Sequence, residues 1–214
     1  MAVGDDASTR VVLRPLATAL PLGVSSFGVG MLLLGGIEVG WIATSERATV
    51  GILVAAFVFP LELVAAVMAF LERDALAATV LGLFATSWLA QGLVDVTSSS
   101  GATSDAVGLF LLGFAVPIAG AGIIGLAAKP LISAVLALST ARSVVAGLWE
   151  LTGGGGLEMA AGIGSLALAA LAGYVALALL AEDARSGAVL PVFRRGAAAT
   201  AFDGEREPGV REQL

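Results

Sequence analysis

The chain has 214 residues, of which 58% are hydrophobic and only 13% charged, with a formal net charge of −6. A water-facing surface on a domain of this size needs about 25% charged residues, so the composition excludes a soluble globular protein. Cysteine and histidine are both absent. Disulfides, thiolate and imidazole metal sites and any histidine-based triad are excluded with them. No basic patch marks a nucleic-acid partner, and no cofactor or metal is implied. The acidic excess sits mostly in loops and tails.

Six apolar blocks follow one another: Leu20–Ile42, Thr49–Leu71, Ala75–Val94, Ala106–Ala127, Leu131–Trp149 and Leu157–Ala181. Each approaches the ~20 residues a helix needs to cross a ~30 Å hydrocarbon layer. They are rich in Ala and Leu and lack period-two alternation, which argues against strands. The expected fold is an all-α membrane bundle of six spans over residues 15–192, with an N-terminal segment 1–14 and a polar tail 193–214. The first nine residues and the tail from Arg194 read as disordered. Thr44 to Arg47, Glu72 to Asp74, Asp95 to Asp105, Lys129-Pro130 and Glu150 to Glu158 read as connections, the last by its glycine run from Gly153 to Gly156. The first block is longer than a signal-peptide core and no clear cleavage site follows it, so it reads as a retained span.

Six spans put both termini on one side. Nine basic residues fall there: Arg10, Arg14, Arg73, Lys129, Arg185, Arg194, Arg195, Arg206 and Arg211. The opposite side holds Arg47, and Arg142 lies inside a span, which accounts for all 11. The positive-inside rule then makes both termini cytoplasmic in a multi-pass cell-membrane protein. Trp41 and Trp149 fall near the outer interface as anchors, whereas Tyr174 lies deeper and should be packed.

Many of the 28 glycines lie within spans, where small residues let helix backbones approach. Gly36-x-x-x-Gly40 and Ala169-x-x-x-Gly173 have small-xxx-small spacing, which fits packing within one bundle or between subunits. Pro21, Pro60 and Pro117 each remove a backbone donor. Pro21 marks either an irregular start to the first helix or an ordinary helix entry.

Glu62 and Arg142 lie midway along the second and fifth spans. A charge at the bilayer centre costs roughly 2.5–3.5 kcal/mol on insertion scales, and such residues normally face the bundle interior. They line a solute pathway, or pair as a structural link between two helices, and the two roles are compatible. Glu38, nearer a span end, is placed at the interface. Glu150 and Glu158 read as solvated.

Three stretches together resemble one family. Leu20 to Gly30 reads LPLGVSSFGVG, and its Pro21-Leu22-Gly23-Val24 and Phe27 resemble the opening signature of the acetate uptake transporter family, also called succinate–acetate permeases. Phe84-Ala85-Thr86-Ser87-Trp88 is similar to the family's aromatic stretch in the third span. Ala161-Gly162, Tyr174-Val175-Ala176 and Val189-Leu190-Pro191 keep the family's spacing in the sixth. The resemblance implies a hexamer of six-helix protomers, each with its own path for acetate, related monocarboxylates or succinate. It implies an entry motif at Pro21, Leu22 and Gly23. It also implies an apolar narrowing formed by Phe27, Phe84 and a fifth-span residue near Leu138 to Thr140. Three departures stand out: Thr18 and Ala19 replace the family's Asn-Pro, Glu62 replaces its usual Gln, and Arg142 has no expected counterpart.

The leading expectation is a transporter or channel for small organic anions. In it Arg142 attracts the carboxylate and Glu62 neutralises Arg142 or carries a proton. Phe27 and Phe84 form the gate. A neutral-solute pore, for urea or ammonia, and a non-transporting interaction subunit docking through its tail are the alternatives. An enzyme is not expected, because no serine within a span has a partner motif.

Overall fold

The computed structural model describes residues 17–98, 102–185 and 189–195. Helix α1 spans Leu20–Glu38. A short 3-10 turn at Thr44–Glu46 leads into α2, Arg47–Leu53, a π-helical segment at Val54–Val58, and α3, Phe59–Leu71. Then come α4 (Ala75–Thr97), α5 (Asp105–Gly125), α6 (Pro130–Thr152) and α7 (Gly155–Arg185). The stretch Thr44–Leu71 is continuous enough to act as one span. Six helical stretches are therefore long and apolar enough to cross a membrane, and the all-α bundle expected from the blocks is the observed fold.

Local chemistry sets the helix ends. Pro21 stands in the first turn of α1, where its missing N–H goes unneeded, so it is a helix entry. Gly40 takes φ +78°, a conformation that glycine adopts without strain, and α1 stops at Glu38 instead of reaching Ile42. The Asp74 carboxylate caps α4 by accepting from the Ala77 amide at 3.1 Å. Gly153, at φ +70°, ends α6. Helix returns at Gly155, so the connection expected from Glu150 to Glu158 shrinks to about two residues. Helix α4 also runs on through Asp95 to Thr97.

The helices pack as close pairs, α1 with α7, α3 with α4, and α5 with α6, with α6 also against α7. Small residues make these approaches possible. A Cβ on Gly51 would lie 2.7 Å from the Gly92 carbonyl oxygen. One on Gly108 would lie 3.0 Å from the Gly147 oxygen, and one on Gly35 would lie 3.1 Å from the Gly162 oxygen. The two motifs expected from spacing behave differently. Gly36 meets only the Ile42 side chain, Gly40 lies beyond the helix, and Gly173 has open space where a Cβ would be. The Ala169–Gly173 stretch nevertheless packs within the bundle: a Cβ on Gly28 of α1 would lie 3.6 Å from the Ala169 oxygen and 3.8 Å from the Gly173 nitrogen.

Beyond α7, Val192 is buried in the main apolar cluster. Tyr174 Oη donates to the Pro191 carbonyl at 2.9 Å, Arg194 pairs with Glu182 at 2.7 Å, and the Arg195 amide donates to Ala128 O at 3.1 Å. Residues 193–195, expected to open the disordered tail, are thus tied to the bundle. The expectations for residues 1–16 and for the tail from 196 onward lie outside the described residues. Trp41 is exposed, as an interfacial anchor requires, whereas Trp149 is buried in the bundle.

Candidate permeation site

Helices α4 and α6 make no extensive contact with each other, and two cavities fill the gap between them and α1. The first, about 40 Å³, lies toward the end where α1 and α6 begin. Leu20, Val24, Phe27, Leu81, Phe84 and Leu136 line it, and Lys129 is its single charged residue. The second, about 30 Å³, lies toward the other end. Its walls include Met31 and Leu34, the rings Phe84, Trp88, Phe110 and Phe114, and a polar set of Ser87, Gln91, Ser139, Arg142 and Ser143. Phe84 belongs to both cavities.

Between the cavities the rings interlock. Phe27 and Phe84 meet edge-to-face with centroids 4.9 Å apart. Phe84 meets Phe114 at 5.3 Å, and Phe27 meets Trp88 at 6.1 Å. Such edge-on pairs contribute roughly 0.5–1.5 kcal/mol each beyond burial. Together they form an apolar septum with open space on both sides. Phe27 and Phe84, read from the sequence as two sides of a narrowing, do stand together.

The α6 contribution differs by register. Leu138 and Thr140 line neither cavity; Leu136 lines the first and Ser139 the second. One helical turn separates these two, so they share the face that the gap exposes. The Thr140 hydroxyl donates instead to the Leu136 carbonyl at 2.8 Å. In the entry motif, Pro21 and Gly23 are buried and Leu22 points outward. The residues flanking the motif, Leu20 and Val24, line the cavity, while Gly23 lets α1 close on the Leu81 side chain.

The two intramembrane charges are not partners of each other. Arg142 pairs through Nη2 with Glu38. Its Nε donates to Ser165 Oγ at 3.0 Å, and that hydroxyl donates onward to Glu38 Oε2 at 2.9 Å. Glu38, expected at the interface, is thus part of a closed triad joining α1, α6 and α7. Removing water from a guanidinium and a carboxylate is costly unless they face each other with further hydrogen bonds, and the serine supplies these. Glu62 is fully buried and lines neither cavity. Its Oε1 accepts from Trp88 Nε1 at 3.2 Å, and its Oε2 has no hydrogen-bond partner among the described residues. It stands one layer behind the septum, touching it through Trp88.

A second polar cluster lies where α2 begins and α4 ends. Arg47 reaches Asp95 at 3.3 Å and Glu158 at 3.8 Å, and Gln91 Nε2 donates to Asp95 Oδ1 at 3.1 Å. Glu150 accepts from the Ser104 amide at 2.8 Å. At the other end Lys129 pairs with Asp74. Sequence reasoning missed Glu38, Gln91 and Ser139. A polar residue at the end of an otherwise apolar span was the available signal for Glu38 and Gln91, and none distinguished Ser139 from the other serines of α6.

The solved structure of the bacterial acetate channel SatP is similar in fold, with a TM-score of 0.75 at 18% identity, and covers 83% of this chain and 99% of that one. A search of curated proteins by sequence finds no match. The model of the GPR1/FUN34/yaaH family matches residues 6–194. With the matched region running from before the first span to beyond the last, the chain belongs to the GPR1/FUN34/yaaH family.

Proposed function

We propose that the chain is a membrane transporter or channel for small carboxylates such as acetate, with the path running through its own bundle between α4 and α6. The observation that carries this reading is the pair of cavities in line, separated by the Phe27–Phe84 septum. An apolar constriction between two open spaces holds back water and ions until a solute displaces it. Arg142 on the wall of the second cavity favours a carboxylate there through charge-assisted hydrogen bonds. The shared fold with a protein named as an acetate channel supports the same reading. Uptake of labelled acetate into proteoliposomes tests it; vesicles no more permeable than protein-free ones defeat it.

Three further parts belong to this proposal. The cell membrane is the location, with both termini cytoplasmic, on the strength of the basic-residue asymmetry. The protomers assemble as hexamers. Exposed apolar side chains on α5, including Val116, Ile123 and Ile124, suit contact with lipid or a neighbouring copy, and native mass spectrometry decides between one copy and six. Glu62 links transport to protons through its hydrogen bond to Trp88; a Glu62→Gln protein whose uptake keeps the original pH profile removes it from that role. A neutral-solute pore is the second reading, favoured by the pairing of Arg142 with Glu38. Swelling of vesicles in urea without acetate uptake would select it.

A further inference from the structure

Serine and threonine inside a helix usually return their hydroxyl to a carbonyl three or four residues back. Ser25, Ser26, Thr86, Ser87, Thr97, Thr140 and Thr152 all do so here. Ser139 does not. It is only 2% exposed, its Oγ has no hydrogen-bond partner among the described residues, and it lines the second cavity. A buried hydroxyl left unpaired costs about 1–3 kcal/mol, so a ligand that accepts from it is favoured.

The same helical face carries the rest of an anion site. Arg142 and Ser143 follow Ser139 at i+3 and i+4, on one side of α6, and both line the cavity. Of the guanidinium nitrogens, Nε is held by Ser165 and Nη2 by Glu38, while Nη1 has no hydrogen bond among the described residues. The donors left over, two on Nη1, the second N–H of Nη2 and the Ser139 hydroxyl, suit one carboxylate group.

Charge then restricts the ligand. Glu38 already balances Arg142, so a bound monocarboxylate leaves the cluster at −1. A dicarboxylate leaves it at −2 and must place its second group without a cation. Lys129, the one other charged residue lining either cavity, lies beyond the aromatic septum and is paired with Asp74.

We propose that Ser139, with the free Nη1 edge of Arg142, forms a carboxylate subsite in the second cavity that takes monocarboxylates and rejects dicarboxylate dianions. This rests on the carboxylate-transport reading above and narrows its substrate class.

The test uses the full chain in proteoliposomes at neutral pH. Wild-type vesicles should take up acetate with a half-saturation at least about tenfold below that for succinate dianion. Ser139→Ala should raise the acetate half-saturation about ten- to 150-fold, the loss of one hydrogen bond to a charged group, with a melting temperature equal to or above that of wild type. Ser139→Thr, which keeps the hydroxyl, should restore most of it. Because the chain contains no cysteine, Ser139→Cys supplies a single thiol whose labelling by a small thiosulfonate acetate should slow and succinate should not. Unchanged half-saturation in Ser139→Ala, equal protection by both acids, or equal uptake of both overturns the subsite while leaving carboxylate transport intact. Wild-type vesicles that take up neither acid overturn both.

Discussion

Truncating Phe84 to alanine tests the septum directly. Phe84 borders both cavities and holds edge contacts with Phe27 at 4.9 Å and Phe114 at 5.3 Å. A solute crossing between the cavities must part these rings. Two such contacts are together worth about 1–3 kcal/mol, which converts to a crossing roughly five- to 160-fold faster once they are gone. Phenylalanine-to-alanine changes in packed cores cost about 3–5 kcal/mol. Open space already adjoins this ring on both sides, so the stability loss should fall near ~3 kcal/mol. The assay is initial-rate acetate flux into proteoliposomes, with monodispersity and helix content measured on the same preparation. Phe84→Trp, which enlarges the plug, should slow flux. A folded Phe84→Ala protein whose flux is unchanged or lower would refute the argument that these rings are the barrier.

The Arg142–Glu38–Ser165 triad predicts asymmetry between single and double changes. Glu38→Ala alone should cost about 3–5 kcal/mol by leaving a buried guanidinium unpaired, and joining it to Arg142→Met should recover most of the loss, read as melting temperature in detergent. Gly92→Ala should prevent stable folding, since its Cβ would stand 2.5 Å from the Gly51 carbonyl oxygen, whereas Gly173→Ala meets only open space and should be silent. Outside the spans, burial pushes the Glu72 carboxyl above the usual carboxylate range, against the opposing pull of the Ala19 amide and Lys129. A raised folded-state value means stability present below the unfolded value is lost as pH rises through the folded one. Glu72→Gln should therefore be more heat-stable than wild type at pH 7, with the advantage gone below about pH 4. An equal difference at both pH values would count against it.

Span number and approximate position were legible because a hydrocarbon layer enforces long apolar blocks, whatever the tertiary contacts. Boundaries were harder. Asp95 reads as loop by charge, yet Arg47 and Gln91 hold its Oδ1 inside α4, and that pairing is visible only when α2 and α4 are placed side by side. The septum pair Phe27–Phe84 came from motif resemblance and not from periodicity. The partner of Arg142 could not come from either. Helix α1 is apolar nearly all round, so no stripe marks which way Glu38 turns. The same limit explains α6, where the resemblance pointed near Leu138 and Thr140. The gap instead exposes Leu136 and Ser139, a rotation the sequence pattern does not encode.

The π-helical segment Val54–Val58 ahead of Pro60 sets the azimuth of everything after it. A π-bulge carries one residue more than the α-helical path, and each residue turns a helix by about 100°. Deleting one residue there would remove the bulge and keep the phase, whereas winding every residue of the span as plain α-helix would put α3 out of phase with α2, swinging Glu62 away from Trp88 and Ala65 and Ala69 out of the α3–α4 seam. The carboxylate would arrive among acyl chains, at a cost of roughly 2.5–3.5 kcal/mol. The irregular turn thus acts as a phase shifter, letting the Gly51 contact with Gly92 and the Glu62 contact with Trp88 be satisfied by one continuous span.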